Sequence, residues 1–180
     1  MNKHSQVDEI APHVVVHAMR EALRRAARLL SFGTSVMYAD HNSVFDEQAA
    51  LAIDDIVSFA LHVRRAIELL KARSQFLSLS LETGNGPVAN QFIGDTEANG
   101  QIRLLDLLGR IVHSTRLGIS LTEADTERTR SARNSVIGPP DFYPHHFWIK
   151  SDRPEMYTVS IESFALTYIA RVEPKLDSLC

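Results

Sequence analysis

The first half of the chain carries one uninterrupted helical pattern, from about residue 43 to residue 73. Apolar residues recur at three- and four-residue steps through seven or more turns, namely Ala52, Ile56, Phe59, Ala60, Val63, Ile67 and Leu70. At about 1.5 Å per residue such a helix is about 45 Å long. Other parts of the chain must pack along the whole length of its apolar face. This helix therefore determines how the rest of the fold is arranged.

A second helical pattern precedes it, from about His13 to Leu30. One face of this segment is apolar and consists of Val15, Met19, Leu23, Ala26 and Leu30. Gly33 follows as a typical helix stop. Because two consecutive amphipathic helices with a short connection usually pack side by side in opposite directions, we predict a long antiparallel helix pair.

Past this pair, the pattern changes several times. Residues 76–82 (FLSLSLE) alternate as in a strand, although a frayed helix end is equally consistent with them. Residues 101–114 form a third helical segment, and the charged stretch 122–133 is either a solvated helix or a mobile segment. These segments therefore add one apolar helix to the predicted pair.

The C-terminal part alternates with the period of strands. Residues 147–150 and 156–161 are separated by a turn-forming Ser-Asp-Arg-Pro sequence, which predicts a β-hairpin over about residues 147–161. Helical spacing then returns and predicts a closing helix over about residues 161–173, which Pro174 interrupts. The predicted fold class is mainly α, a helical bundle built on the long antiparallel pair with a small C-terminal hairpin and closing helix.

The composition fits one folded domain over residues 1–180. Apolar residues make up 44% and charged residues 23% of the chain, both ordinary for globular proteins. No apolar run approaches the roughly 18 residues of a membrane span. Because the chain begins without the apolar region of a secretory signal and Cys180 is its only cysteine, we expect a cytoplasmic protein without a membrane partner. The net charge of −3 argues against non-specific coating of nucleic acid.

The third helical segment, QIRLLDLLGRIVHS, carries one polar line on an otherwise apolar surface. This polar line consists of Arg103, Asp106, Arg110 and His113, which fall within roughly an 80° sector at about 100° per residue. Arginine matches phosphate oxygens and histidine is a general acid or base, so His113 and Arg110 are candidate catalytic residues and Arg103 a candidate phosphate ligand. A solvated face with weak ion pairs, or a dimer interface, explains the same pattern.

A second polar line lies on the long helix. It contains Asp55, Ser58, His62, Arg65 and Glu68. Side-by-side packing of the helices would let His62 and Arg65 face His113 and Arg110 across a groove, as further ligand-binding or phosphate-binding residues. The alternative is that the line is simply the outward face of an amphipathic helix.

The spacing of two histidines is a weak indication of a metal-binding site. His13 and His17 lie four residues apart, as two zinc ligands on one helix do. Because no third ligand follows at a suitable spacing, we predict no metal and no cofactor. A metal-dependent helical-bundle enzyme is kept only as the weakest alternative.

Three segments together resemble the HEPN-like superfamily of small helical domains. They are DDIVSFALHVRRAIELL on the long helix, the helix end LLGRIVHS, and the pattern FWIKSD…MYTVSIESFALTYI. In one prokaryotic branch of that superfamily a helix ends in a basic-x-x-His signature, followed by a hairpin and a closing helix. The resemblance covers most of the chain, from about His13 to Val172.

The resemblance implies a helical bundle, often homodimeric, and in many members a metal-independent endoribonuclease of defence or toxin systems. In those nucleases an Arg and a His with four to six residues between them act on the scissile phosphate. His113 would be that histidine, but Asp106, Leu107 and Leu108 occupy the positions of the arginine. Whether the chain is an enzyme is therefore left open. The alternatives are a protein that binds RNA or a nucleotide, or cleaves RNA, and a non-catalytic homodimeric module that binds a partner protein.

Overall fold

The computed structural model describes residues 12–35, 42–84, 96–97, 100–123, 142–152 and 155–180. The helices are α1 (Pro12–Gly33), α2 (Asn42–Leu69), α3 (Leu104–Val112), α4 (Ile161–Thr167) and α5 (Glu173–Asp177), with a 3-10 turn at Arg73–Phe76 and a π-helical turn at Tyr168–Val172. The strands are β1 (Ser80–Thr83), β2 (Thr96–Glu97), β3 (Gly100–Arg103), β4 (Arg116–Glu123), β5 (Phe142–Lys150) and β6 (Glu155–Ser160). The mainly helical fold with a C-terminal hairpin and closing helix is confirmed.

The helices α1 and α2 pack against each other in opposite directions. His17 near the start of α1 lies beside His62 near the end of α2, and Arg25 and Arg28 contact Asp55 nearer its start. Alanines at positions 18, 22 and 26 of α1 and 60 and 66 of α2 are fully buried, which keeps side-chain bulk low on the buried faces of both helices. The predicted antiparallel pair is therefore the centre of the fold.

The closing helix packs on α2 through an aromatic cluster. The Phe59 ring meets the rings of Phe164 and Tyr168 edge-on, with centroids 4.8 and 5.3 Å away. Phe147 of β5 extends the cluster at 5.3 Å from Phe164. The Tyr168 hydroxyl donates a hydrogen bond to the backbone carbonyl of Met19 at 3.1 Å, so the same residue also ties the C-terminal region to α1.

The strands form two sheets. One has the order β2-β6-β5-β4, with the predicted hairpin β5-β6 at its centre, and the other consists of β1 and β3. The strand reading of residues 76–82 is confirmed only for Ser80–Glu82, which belong to β1. Strand β4 was not predicted, and Thr122 and Glu123 lie in it rather than in a charged helix. The rest of the charged stretch, residues 124–133, lies outside the described residues.

Three predicted helix boundaries were wrong. The long helix ends at Leu69 rather than at about residue 73. The third helix begins at Leu104, because residues 101–103 pair with β1 instead. The closing helix does not end at Pro174 but reaches Asp177. A π-helical turn precedes Pro174, which then lies in the first turn of α5, where a missing N–H breaks no helical hydrogen bond. Among the described residues, no helix is long and apolar enough to span a membrane.

Gly118 of β4 lies directly under the indole ring of Trp148. A Cβ atom at Gly118 would be 2.5 Å from the Trp148 Cζ2 atom, far inside contact distance. We expect Gly118→Ala to lower the free energy of unfolding by about 1–3 kcal/mol, the usual cost of overpacking, as measured by urea denaturation. Gly109→Ala is the control, because a Cβ on this helical glycine meets nothing within 4 Å and is expected to stabilise by about 0.5–1 kcal/mol. Equal stability of Gly118→Ala and wild type would contradict the expectation.

Candidate functional site

A groove of about 740 Å³ lies between α2, α3 and the hairpin. All four residues of the polar line on the third helical segment border it, Arg103, Asp106, Arg110 and His113. Its other lining residues come from α2, from the 3-10 turn, from β3 and from the hairpin, where Ser151, Asp152 and Tyr157 border it. We call this cavity the α3 groove. The fold thus brings the predicted polar line onto a single concave surface.

Helix α3 presents this line because its other faces are buried. Leu104, Leu107, Leu108 and Ile111 are each at most 3% exposed. Arg103 is the last residue of β3 and precedes the first turn of the helix with extended backbone angles. His113 ends the helix, and its backbone N–H donates to the Gly109 carbonyl at 3.1 Å. The core therefore fixes both ends of the line on the groove.

Arg110 is held by the hairpin. Its guanidinium carbon lies 4.4 Å from the centre of the Tyr157 ring, which is cation–π geometry. Its two terminal nitrogens also lie 3.4 Å from Ser151 Oγ and from Glu155 Oε2. The side chain is only 13% exposed. Arg110 therefore fastens α3 to the hairpin, and little of its guanidinium is open to a ligand.

Two ion pairs lie at the edges of the groove. Arg103 Nε donates to Asp106 Oδ2 at 2.7 Å, and Arg64 Nε donates to Glu68 Oε1 at 2.7 Å. Both pairs are at least 42% exposed, and exposed pairs of this kind stabilise a protein by about 0–1 kcal/mol. Because these pairs are weak, an anionic ligand can replace either carboxylate at small cost.

Two exposed basic groups and one acidic group of the groove have free side chains. Within the described part of the chain, the side chains of Arg73, His113 and Asp152 form no hydrogen bond or ion pair, and all three line the α3 groove. Sequence reasoning missed Arg73 and Arg64. Arg73 comes from the 3-10 turn after the long helix and Arg64 lies outside its polar line, so only the tertiary fold shows that they reach α3.

His62 and Arg65 do not line this groove. They border an adjoining depression of about 480 Å³, which we call the α2 depression. Its lining residues are Ser58, Leu61, His62, Arg64, Arg65, Glu68 and Val112. The Arg64–Glu68 pair lines both cavities and forms the wall between them. The structure thus separates the two predicted polar lines into neighbouring sites.

His62 differs from an ordinary surface histidine. Burial is the largest effect and lowers its pKa below the usual value. The carboxylate of Glu21 opposes this, whereas His17, Arg25 and Arg65 lower the pKa further. His62 is therefore more readily neutral than a free imidazole, and as a neutral ring it is a poor phosphate ligand.

The structure also locates the histidine pair of α1. His13 and His17 are both exposed, and the His17 ring centroid is 6.3 Å from that of His62. Over the described ranges, no three or more His, Cys, Asp or Glu side chains come together as a metal site. The polar line on α2 is also interrupted, because Asp55 is buried at the α1–α2 seam rather than on the outward face.

The chain matches none of the protein-family models, curated proteins or solved structures with which it was compared. The HEPN-like resemblance thus depends on the sequence segments that carry it.

Proposed function

We propose that the protein is a HEPN-like domain that binds single-stranded RNA in the α3 groove. The observation that carries the proposal is the pair of free, exposed basic side chains, Arg73 and His113, that open onto one cavity with Arg64 and Arg103. A groove of about 740 Å³ has the size of a small-ligand site and suits a short stretch of single strand.

The charges that line the groove favour the binding of a phosphate ligand with modest affinity. Four arginines line the groove against three carboxylates, those of Glu68, Asp106 and Asp152. The guanidinium fork fits phosphate oxygens, and charge-assisted hydrogen bonds of this type are stronger than neutral ones. An incoming phosphate has to replace the carboxylates of the two exposed ion pairs, so we expect binding that is strong only at low salt.

The positions and contacts of the arginines favour RNA binding over RNA cleavage. Leu107 and Leu108, at two of the positions where the family arginine is expected, are fully buried, and the third, Asp106, pairs with Arg103. Arg110, three residues before His113, is engaged by the hairpin. His113 thus has the group of a general acid or base without an adjacent free guanidinium, and metal-independent RNA cleavage is the alternative activity.

The substitution Arg73→Ala is expected to weaken RNA binding by roughly threefold to tenfold, which corresponds to one lost charge-assisted contact. The salt dependence of binding should also become shallower, by about 0.7 in the slope of log K against log salt. Fluorescence anisotropy with a labelled single-stranded RNA at several salt concentrations measures both effects.

The control is Arg20→Ala, which removes the same charge from the exposed surface of α1. An equal loss of affinity in both variants would contradict a site in the α3 groove, and so would the absence of RNA binding by the wild type at low salt. The same RNA in EDTA decides the alternative activity, because cleavage that His113→Ala abolishes would identify a nuclease.

A second proposal concerns the partner. We propose that the protein is a homodimer, which is also the basis of the alternative function as a non-catalytic protein-interaction module. The supporting observation is the outward face of α2, where Leu51 and Leu61 are 57% and 48% exposed. Large apolar side chains that recur on one exposed helix face are typical of an interaction surface.

A further inference from the structure

One face of α2 points directly away from the core. Six residues at three- and four-residue steps form it, and we call them the outer stripe: Glu47, Leu51, Asp54, Ser58, Leu61 and Arg65. At about 100° per residue they fall within roughly an 80° sector. Five of the six are exposed, and Ser58 is half-buried. The outer stripe is therefore a continuous surface with an acidic residue at one end, a basic residue at the other and a leucine inside each end.

We infer that the outer stripe is the contact surface between two copies of this chain, which pack their α2 helices antiparallel about a two-fold axis beside residue 56. The inference rests on the proposed homodimer and specifies its interface. Such an axis pairs each residue with one equally far from position 56 on the partner. Leu51 then faces the partner's Leu61, Glu47 faces the partner's Arg65, and Asp54 faces the partner's Ser58.

The complementarity extends to shape. The α2 depression lies beside Leu61 and is bordered by Ser58, Arg65 and Val112. In the antiparallel arrangement the partner's Leu51 enters this depression, and Leu51 of the first copy enters the depression of the partner. Each copy therefore supplies one apolar side chain and one pocket, which is the property of a self-complementary two-fold interface.

The dimensions are compatible with helix packing. Leu51 and Leu61 are about 15 Å apart along the helix, and Glu47 and Arg65 about 27 Å. Helices that cross at about 20° with axes about 8–10 Å apart stay in contact over several turns. The leucine contacts then lie near the axis, and the Glu47–Arg65 contacts lie at both rims, where charges determine specificity more than affinity.

The charge order favours a second copy over an unrelated partner. The stripe is its own charge complement, because an antiparallel copy places the basic end of one helix on the acidic end of the other at both rims. A parallel copy would bring Glu47 onto Glu47 and Arg65 onto Arg65, which repel each other. The charge order thus sets the direction of the partner helix and is satisfied by a second copy of the chain.

Charge reversal tests this pairing, with the full-length chain in sedimentation equilibrium experiments. Glu47→Arg and Arg65→Glu each turn two attractive rim contacts into two repulsive ones, and each variant alone is expected to dimerise at least about tenfold more weakly than wild type. When the two variants are mixed in equal amounts, every rim contact is again attractive. The mixture is therefore expected to form a heterodimer with affinity close to that of the wild type.

Arg20→Glu on α1 is the control for charge reversal outside the stripe, and circular dichroism checks that each variant is folded. A wild type that stays monomeric at 100 µM, a concentration on the order of the highest Kd of interest, overturns both the homodimer and the outer stripe. The outer stripe is overturned if the wild type is a dimer but neither variant weakens it, or if the mixture does not restore dimer formation. The homodimer would then form through another surface.

Discussion

Replacement of Phe59 by alanine is expected to lower the free energy of unfolding by about 3–5 kcal/mol, the range for a large aromatic side chain removed from a core. The Phe59 side chain is 1% exposed and lies at the centre of the aromatic cluster, edge-on to Phe164 and Tyr168. Its loss leaves a cavity at the junction of α2 and the closing helix and removes two favourable ring contacts. Urea denaturation followed by circular dichroism measures the change.

Two variants make this test specific. Phe59→Leu keeps most of the apolar volume and should cost about half as much or less, because the cavity is smaller. Leu77→Ala removes a side chain that is 52% exposed, and should change the free energy of unfolding by at most about 0.5 kcal/mol. A loss below about 1 kcal/mol for Phe59→Ala would show that the cluster does not join the two helices as described.

Asp55→Ala is expected to lower the free energy of unfolding by about 2–3 kcal/mol. The Asp55 side chain is 10% exposed and accepts hydrogen bonds from both Arg25 and Arg28, so its removal leaves two guanidinium groups at the seam without a counter-charge. Breaking a fully buried pair costs about 3–5 kcal/mol. The expected value is smaller because Arg28 is 52% exposed and water screens part of its charge.

The neighbouring Asp54→Ala is the matched control at protein concentrations below the dimer dissociation constant, since Asp54 is exposed and its removal from the monomer should change stability by about 0.5 kcal/mol or less. Arg28→Ala should cost less than Asp55→Ala, because Asp55 keeps its contact with Arg25. Equal unfolding midpoints for Asp54→Ala and Asp55→Ala would mean that the ion pairs at the seam do not hold α1 and α2 together.

Local periodicity was sufficient for the main elements of the fold. The apolar patterns of α1 and α2 are long and have no competing period, so they predicted both helices and their antiparallel packing. Strand β3 was not recognisable, because residues 101–103 continue the helical phase of α3. Their strand conformation depends on pairing with Ser80–Thr83, about 20 residues away, and local periodicity does not reveal a contact between distant segments.

In the candidate site too, local periodicity predicted one part, and contacts between distant segments determine the rest. Helical phase alone predicted that Arg103, Asp106, Arg110 and His113 share one face. The partners of Arg110 come from a hairpin more than 40 residues away, so the sequence did not reveal that Arg110 is engaged.

The error at Asp55 has a different cause. Its place in the polar line suggested an outward position, but the cations that bury it belong to α1. A carboxylate near the edge of an apolar face can be exposed or paired, and only the packing of the second helix decides between the two.

If the protein binds RNA and forms a dimer as proposed, the wall between the two cavities would couple the two events. Arg64 and Glu68 line both the α3 groove and the α2 depression, so a phosphate that drew Arg64 away from Glu68 would also change the surface on which the partner's Leu51 is proposed to pack. Thermodynamic linkage makes this effect reciprocal: if RNA changes the dimer dissociation constant by some factor, dimer formation changes RNA affinity by the same factor. The Arg64–Glu68 ion pair would then make the oligomeric state of the protein depend on whether the α3 groove is occupied.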